Sequence, residues 1–103
     1  KIFCGGNGSY QSFGLLTNQG RVYTCGYNGY GQLGVGNSSH WYYLQEVPCR
    51  DEIVEATFAG HDRYTNLQVR LADGQMLICG CGDNNQLATE DGEEYWTLSP
   101  VRF

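Results

Sequence analysis

Three groups of residues in this sequence are of the types that chemistry uses: five cysteines, two histidines and a run of glycines. Cys79-Gly80-Cys81 has the spacing of half a zinc site, yet no second close cysteine or histidine pair follows to complete it. With Cys4, Cys25 and Cys49 the thiols number five, an odd count that sets out no disulfide framework. Reduced, packed thiols are therefore expected. Among the histidines, His61 adjoins Asp62 and His40 precedes Trp41-Tyr42-Tyr43. A catalytic base needs a nucleophile or a carboxylate that the sequence can place beside it. His61 has the adjacent Asp62 as its one such neighbour, while His40 and the Trp41-Tyr42-Tyr43 run after it read as a loop, with His40 exposed.

The glycines crowd into Cys25-Gly-Tyr-Asn-Gly-Tyr-Gly-Gln-Leu-Gly34. A phosphate-cradling loop would sit between a strand and a helix and offer a lysine or the helix N-terminus to the anion. Residues 25–40 contain no lysine, and no helical pattern follows Leu33. The stretch reads instead as a tight turn, with Gln32 bonding the backbone of its own or an adjoining unit and Leu33 as a core plug. No catalytic residue, metal ligand or cofactor is assigned, and the chain is not read as an enzyme. Binding candidates are the aromatic residues around that turn, Tyr27, Tyr30, His40, Trp41 and Tyr43, since tryptophan and tyrosine dominate binding hot spots. Trp41 and Tyr42 also have aromatic counterparts at Tyr95 and Trp96, which fits a second role covering the edge of a sheet.

The surrounding chain limits what these residues serve. At 103 residues and 41% hydrophobic it suits one small folded unit, and no apolar run approaches the ~18 residues of a membrane helix. Residues 1–11 also lack the apolar core of a signal peptide. The net charge of −5 includes no basic stripe, which argues against direct binding to nucleic acid. The acidic run Glu90-Asp91-Gly92-Glu93-Glu94 reads as a solvated loop.

Sliding the sequence along itself by 54 positions aligns its halves without a gap. Gly6, Tyr10, Gly20, Cys25, Gly26, Gln32, Leu33, Leu44 and Val47 fall on identical residues, where ordinary composition would give about three such matches. Within each copy the apolar rhythm has a period of two. Leu67, Val69 and Leu71 alternate with polar residues, Asp73-Gly74 makes a turn, and Met76–Cys79 returns; Phe13–Thr17, Gly20 and Val22–Cys25 repeat the plan. An all-β chain is predicted, with hairpins over 13–25 and 67–79. The repeat length suits a propeller blade.

Gly20-Arg-Val-Tyr-Thr-Cys-Gly-Tyr-Asn-Gly-Tyr-Gly-Gln-Leu-Gly-Val-Gly-Asn37 resembles the signature of the regulator of chromosome condensation repeat family. Gly20, Val22, Tyr23, Gly26, Asn28, Gly31, Gln32, Leu33, Gly34 and Gly36 sit on its pattern, with Cys25 in place of the usual tryptophan. The second copy is looser: it retains Gly74, Gly80, Gln86 and Leu87, but has Ala88 and Glu90 where the later glycines belong. The resemblance implies a β-propeller segment of two four-stranded antiparallel blades, over residues 1–54 and 55–103, within a ring of about seven, and a buried, hydrogen-bonded structural role for His61 rather than a catalytic one. Two blades cannot close such a ring. The chain is thus expected to be part of a longer protein, its partners including further blades of the same chain or neighbouring subunits. Functionally, a non-enzymatic scaffold for protein-protein contacts is expected, in an intracellular setting, cytoplasmic or nuclear. The alternatives are part of a guanine nucleotide exchange factor for a small GTPase, as the family implies, and a secreted or virion attachment protein.

Overall fold

The computed structural model describes residues 1–6, 8–29, 31–36, 39–49, 51–61, 64–80 and 95–100, the side chains of His61, Tyr64, Tyr95, Trp96 and Pro100 excepted. Among the described residues, eight strands form two four-stranded antiparallel sheets. The first holds β1 (Ile2–Gly5), β2 (Ser12–Leu16), β3 (Val22–Gly26) and β4 (Trp41–Glu46), in that order, with a 3-10 turn at Gly8–Tyr10. The second holds β5 (Ile53–His61), β6 (Tyr64–Leu71), β7 (Met76–Gly80) and β8 (Tyr95–Pro100).

The 54-residue offset governs the hydrogen-bonded register as well as the sequence. Ser12 pairs with Gly26 as Asn66 pairs with Gly80, and Phe3 pairs with Gly14 as Thr57 pairs with Gln68. Both expected hairpins are present. Their turns place Gly20 at φ 80° and Gly74 at φ 94°, a region that L-residues with a Cβ avoid.

The sheets pack face to face, closest at their first strands, where β5 lies against β1 and β2. Phe3 of β1 and Phe58 of β5 meet there with ring centroids 5.2 Å apart. Room for Phe3 depends on Gly14: a Cβ at that position would overlap the ring. Leu16, Val22 and Val47 of the first unit join Ile53, Ala56, Leu67, Val69, Leu71 and Cys79 of the second in a single buried cluster. Backbone bonds tie the units as well, with Ile53 N–H donating to the Gly20 carbonyl at 3.1 Å.

In one respect the structure corrects the sequence reading. Trp41, Tyr42 and Tyr43 belong to strand β4 and not to a loop. Period-two alternation failed to mark this strand because it is bulged: Thr24 pairs with Gln45 and Gly26 with Trp41, so Tyr42, Tyr43 and Leu44 all lie opposite Cys25. Such a bulge re-aims side chains and breaks the alternation. The same irregularity recurs opposite Cys79 in the second sheet.

Candidate functional site

The glycine-rich turn joins β3 to β4 and crosses to the other sheet. Asn28, fully buried, is its internal bracket. Its Oδ1 accepts the Leu33 N–H at 2.9 Å and its Nδ2 donates to the Ser39 carbonyl at 2.8 Å, drawing the two limbs of the loop together. Thr24 Oγ1, on β3, donates to the Leu33 carbonyl at 2.7 Å. Gly31 and Gly34, both at φ 75°, reverse the chain on either side of Gln32-Leu33. The loop so held drives Leu33 into the shared core. Gln32 Nε2 donates to Thr65 Oγ1 of β6 at 3.1 Å. Gln32 therefore bridges the units through the Thr65 side-chain hydroxyl. Leu33 is the plug that the sequence suggested. Asn28 was only a pattern match in the sequence; its spacing five residues before Leu33 is the signal of its bracing role.

The binding candidates fall into two places. Tyr27 stacks on His40 at a centroid separation of 4.7 Å and receives Tyr10 edge-on at 5.1 Å. His40 is solvent-exposed, as expected, and its Nδ1 accepts the Asn28 N–H at 3.0 Å, which fixes the ring. Trp41 is half-buried against the core cluster. Tyr43, by contrast, is 79% exposed on the bulge, beside Tyr42 at 89% and Leu44 at 48%. Tyr30, Gln86 and Leu87 lie outside the described residues, as does the side chain of His61. An open groove of about 350 Å³ runs beside the Tyr27–His40 stack, between Gln11, Phe13, Gly26 and Tyr42.

Among the described residues, Cys4, Cys25, Cys49 and Cys79 are free thiols, and Cys81 lies outside them. Cys79 is packed as expected, its Sγ directed at the Gln32 carbonyl, and burial pushes its pKa up to about 12. Burial raises Cys25 too. Cys4 departs from the expectation of packed thiols, for it is exposed on the outer face of β1. No group of three or more histidine, cysteine, aspartate or glutamate residues is placed to hold a metal ion among the described residues. No helix there is long and apolar enough to cross a membrane.

Comparison with known proteins agrees with this arrangement. Residues 19–57 match the Regulator of chromosome condensation (RCC1) repeat. That span takes in β3, the bracing loop, β4 and the start of β5, so the sequence unit straddles the two sheets. Among solved structures, human WBSCR16 superposes over all of this chain with a TM-score of 0.82 and 21% identity. Prp20p from Saccharomyces cerevisiae, described with its binding properties to Gsp1p and histones, does so with a TM-score of 0.77 and 12% identity. The chain spans about a quarter of the length of each. At these identities the likeness is one of fold. Residues 19–57 thus carry an RCC1 repeat, and over its whole length the chain has the fold of a two-sheet segment of RCC1-like β-propellers.

Proposed function

We propose that this chain is the two-repeat part, residues 1–54 and 55–103, of a non-enzymatic propeller that acts as a protein-protein interaction scaffold. The observation that carries this reading is the division of labour along the β3–β4 segment. Asn28, Gln32 and Leu33 are committed to joining the sheets, whereas the bulge that follows holds Tyr43 and Leu44 out to solvent on the edge strand. Rigid strands that display aromatic side chains supply a binding surface at low conformational cost. Tyr43 is the central contact in this reading, and Tyr27, His40, Trp41 and Tyr30, the last outside the described residues, are its further candidates. The intracellular setting belongs to the same proposal.

Prp20p supplies two probes, Gsp1p and histones, the second of opposite charge to this acidic chain. The test is titration of the protein with each, by fluorescence anisotropy, against the Tyr43→Ala variant. The scaffold reading expects saturable binding to at least one probe, weakened roughly ten-fold or more by the substitution, as for a hot-spot tyrosine. Binding that ignores Tyr43 would remove this residue from the interface. Acceleration of nucleotide release from a candidate small GTPase by the protein would replace scaffolding with exchange activity.

A further inference from the structure

Two consecutive residues just before β4 clasp Asn28. The Ser39 carbonyl accepts from its Nδ2 at 2.8 Å, and His40 Nδ1 accepts from its backbone N–H at 3.0 Å. The second bond depends on protonation. An imidazole nitrogen accepts a hydrogen bond only while it carries no proton, and in the imidazolium both ring nitrogens are donors. The clasp is complete only with Nδ1 bare.

Beyond that bond lies the junction between the sheets. Asn28 Oδ1 accepts the Leu33 N–H at 2.9 Å, and Leu33 is fully buried in the shared core. Gln32, next to it, donates to Thr65 Oγ1 of β6. A short chain of contacts therefore runs from an exposed histidine, through Asn28, to the plug that packs on the second sheet. Asn28 has no exposure to solvent, so a change at its backbone passes to the loop instead of being absorbed by water.

The titratable groups that face the His40 ring are phenols. Tyr27 stacks on it with 26° between the planes, Tyr10 stands edge-on to Tyr27, and Tyr42 lines the groove beside it. Among the described residues no carboxylate, lysine or arginine lines that groove. A protonated ring keeps its place on Tyr27, since an aromatic face attracts a cation. What it loses is the acceptor. Two N–H groups would face each other where one bond stood, and a half-turn of the ring brings up Cδ2–H, which accepts nothing. We propose that His40 is a pH-operated latch on the loop that joins the two sheets. Unprotonated, it completes the clasp on Asn28; protonated, it releases the Asn28 N–H and loosens the hold on Leu33. The device works within the chain and is independent of any partner at Tyr43.

Amide hydrogen exchange of the isotope-labelled chain, followed by NMR at about pH 7.5 and about pH 5.5, brackets the usual histidine range. Protection factors, which already allow for the intrinsic effect of pH on exchange, are expected to fall about ten-fold at Asn28 and Leu33 in acid. They are expected to stay level at Leu15 and Tyr23, which pair within the first sheet. The fall follows the titration of the His40 ring, read from its own Cε1–H signal. His40→Asn offers the Asn28 N–H an amide oxygen that does not titrate, and is expected to keep protection at both pH values. His40→Phe preserves the stack on Tyr27 without an acceptor, and is expected to show low protection at both. The site is exposed, and level protection at Leu15 and Tyr23 will show that both variants are folded. Unchanged protection of the original chain in acid would overturn the proposal. So would an equal acid response in His40→Asn, which would assign the effect to a carboxylate or to His61. Full neutral-pH protection in His40→Phe would overturn it as well.

Discussion

Truncation of Leu33 tests whether the two sheets are coupled through the β3–β4 loop. Leu33→Ala deletes three carbons from a side chain with no exposure to solvent. At about 0.8 kcal/mol per buried carbon the lost transfer energy is about 2.4 kcal/mol, and the residual cavity brings the cost to about 3 kcal/mol. For a unit of this size that lowers the melting temperature by roughly 12–24 °C. Collapse around the cavity is restrained, because the Leu33 N–H and carbonyl are held by Asn28 and Thr24. Urea unfolding at low protein concentration measures the loss, with the midpoint shifted and the slope unchanged. Hydrogen exchange then locates it. Amides of Leu67 and Cys79, in the other sheet, are expected to lose more protection than those of Leu15 and Tyr23, in the sheet to which Leu33 belongs. A cost below about 1 kcal/mol, or lost protection confined to the first sheet, would refute the coupling.

Two glycines of similar φ separate backbone strain from steric overlap. Gly74→Ala meets open space and is expected to cost about 1–2 kcal/mol from its left-handed conformation alone. Gly80→Ala adds contacts of 2.8 Å with Asn66 and Thr65 and is expected to cost more, readable in the same urea titration. Thiol reagent at pH 8 is expected to modify Cys4 rapidly and Cys79 only on unfolding, followed by mass spectrometry. The Cys79 thiol keeps its proton in the folded state up to about pH 12, whereas the unfolded thiol loses it near 9. The native state therefore binds more protons across that window, and stability falls as pH rises through it. Cys79→Ala is expected to flatten that fall, measured as the pH dependence of the urea midpoint.

Much of this fold was legible because the offset of 54 residues carries register with it. Once Gly20 and Gly74 are placed in turns, the pairing of Leu15 with Tyr23 and Val69 with Leu77 follows from strand geometry. The Gln-Leu plug was legible for the same reason, as an identity between copies. What the sequence concealed depends on contacts distant along the chain or on broken periodicity. The bulge at Tyr42–Leu44 erases the alternation by which strands are recognised, so β4 passed for a loop. Thr65 as the partner of Gln32 is 33 residues away, with no local pattern to announce it. Cys4 looks like a packed thiol until the sheet face it occupies is known to be outward.

The loop that one sheet lends to the next also has a consequence for how such a chain is made. Leu33 is synthesised before Leu67 and Cys79, its packing partners, so the first sheet must wait with its plug exposed until the next hairpin emerges. Each repeat would then act as the folding template for its successor, and order would propagate along the nascent chain by contacts between adjacent repeats. A lesion at one junction should halt that progression at a defined point, leaving completed repeats behind it intact.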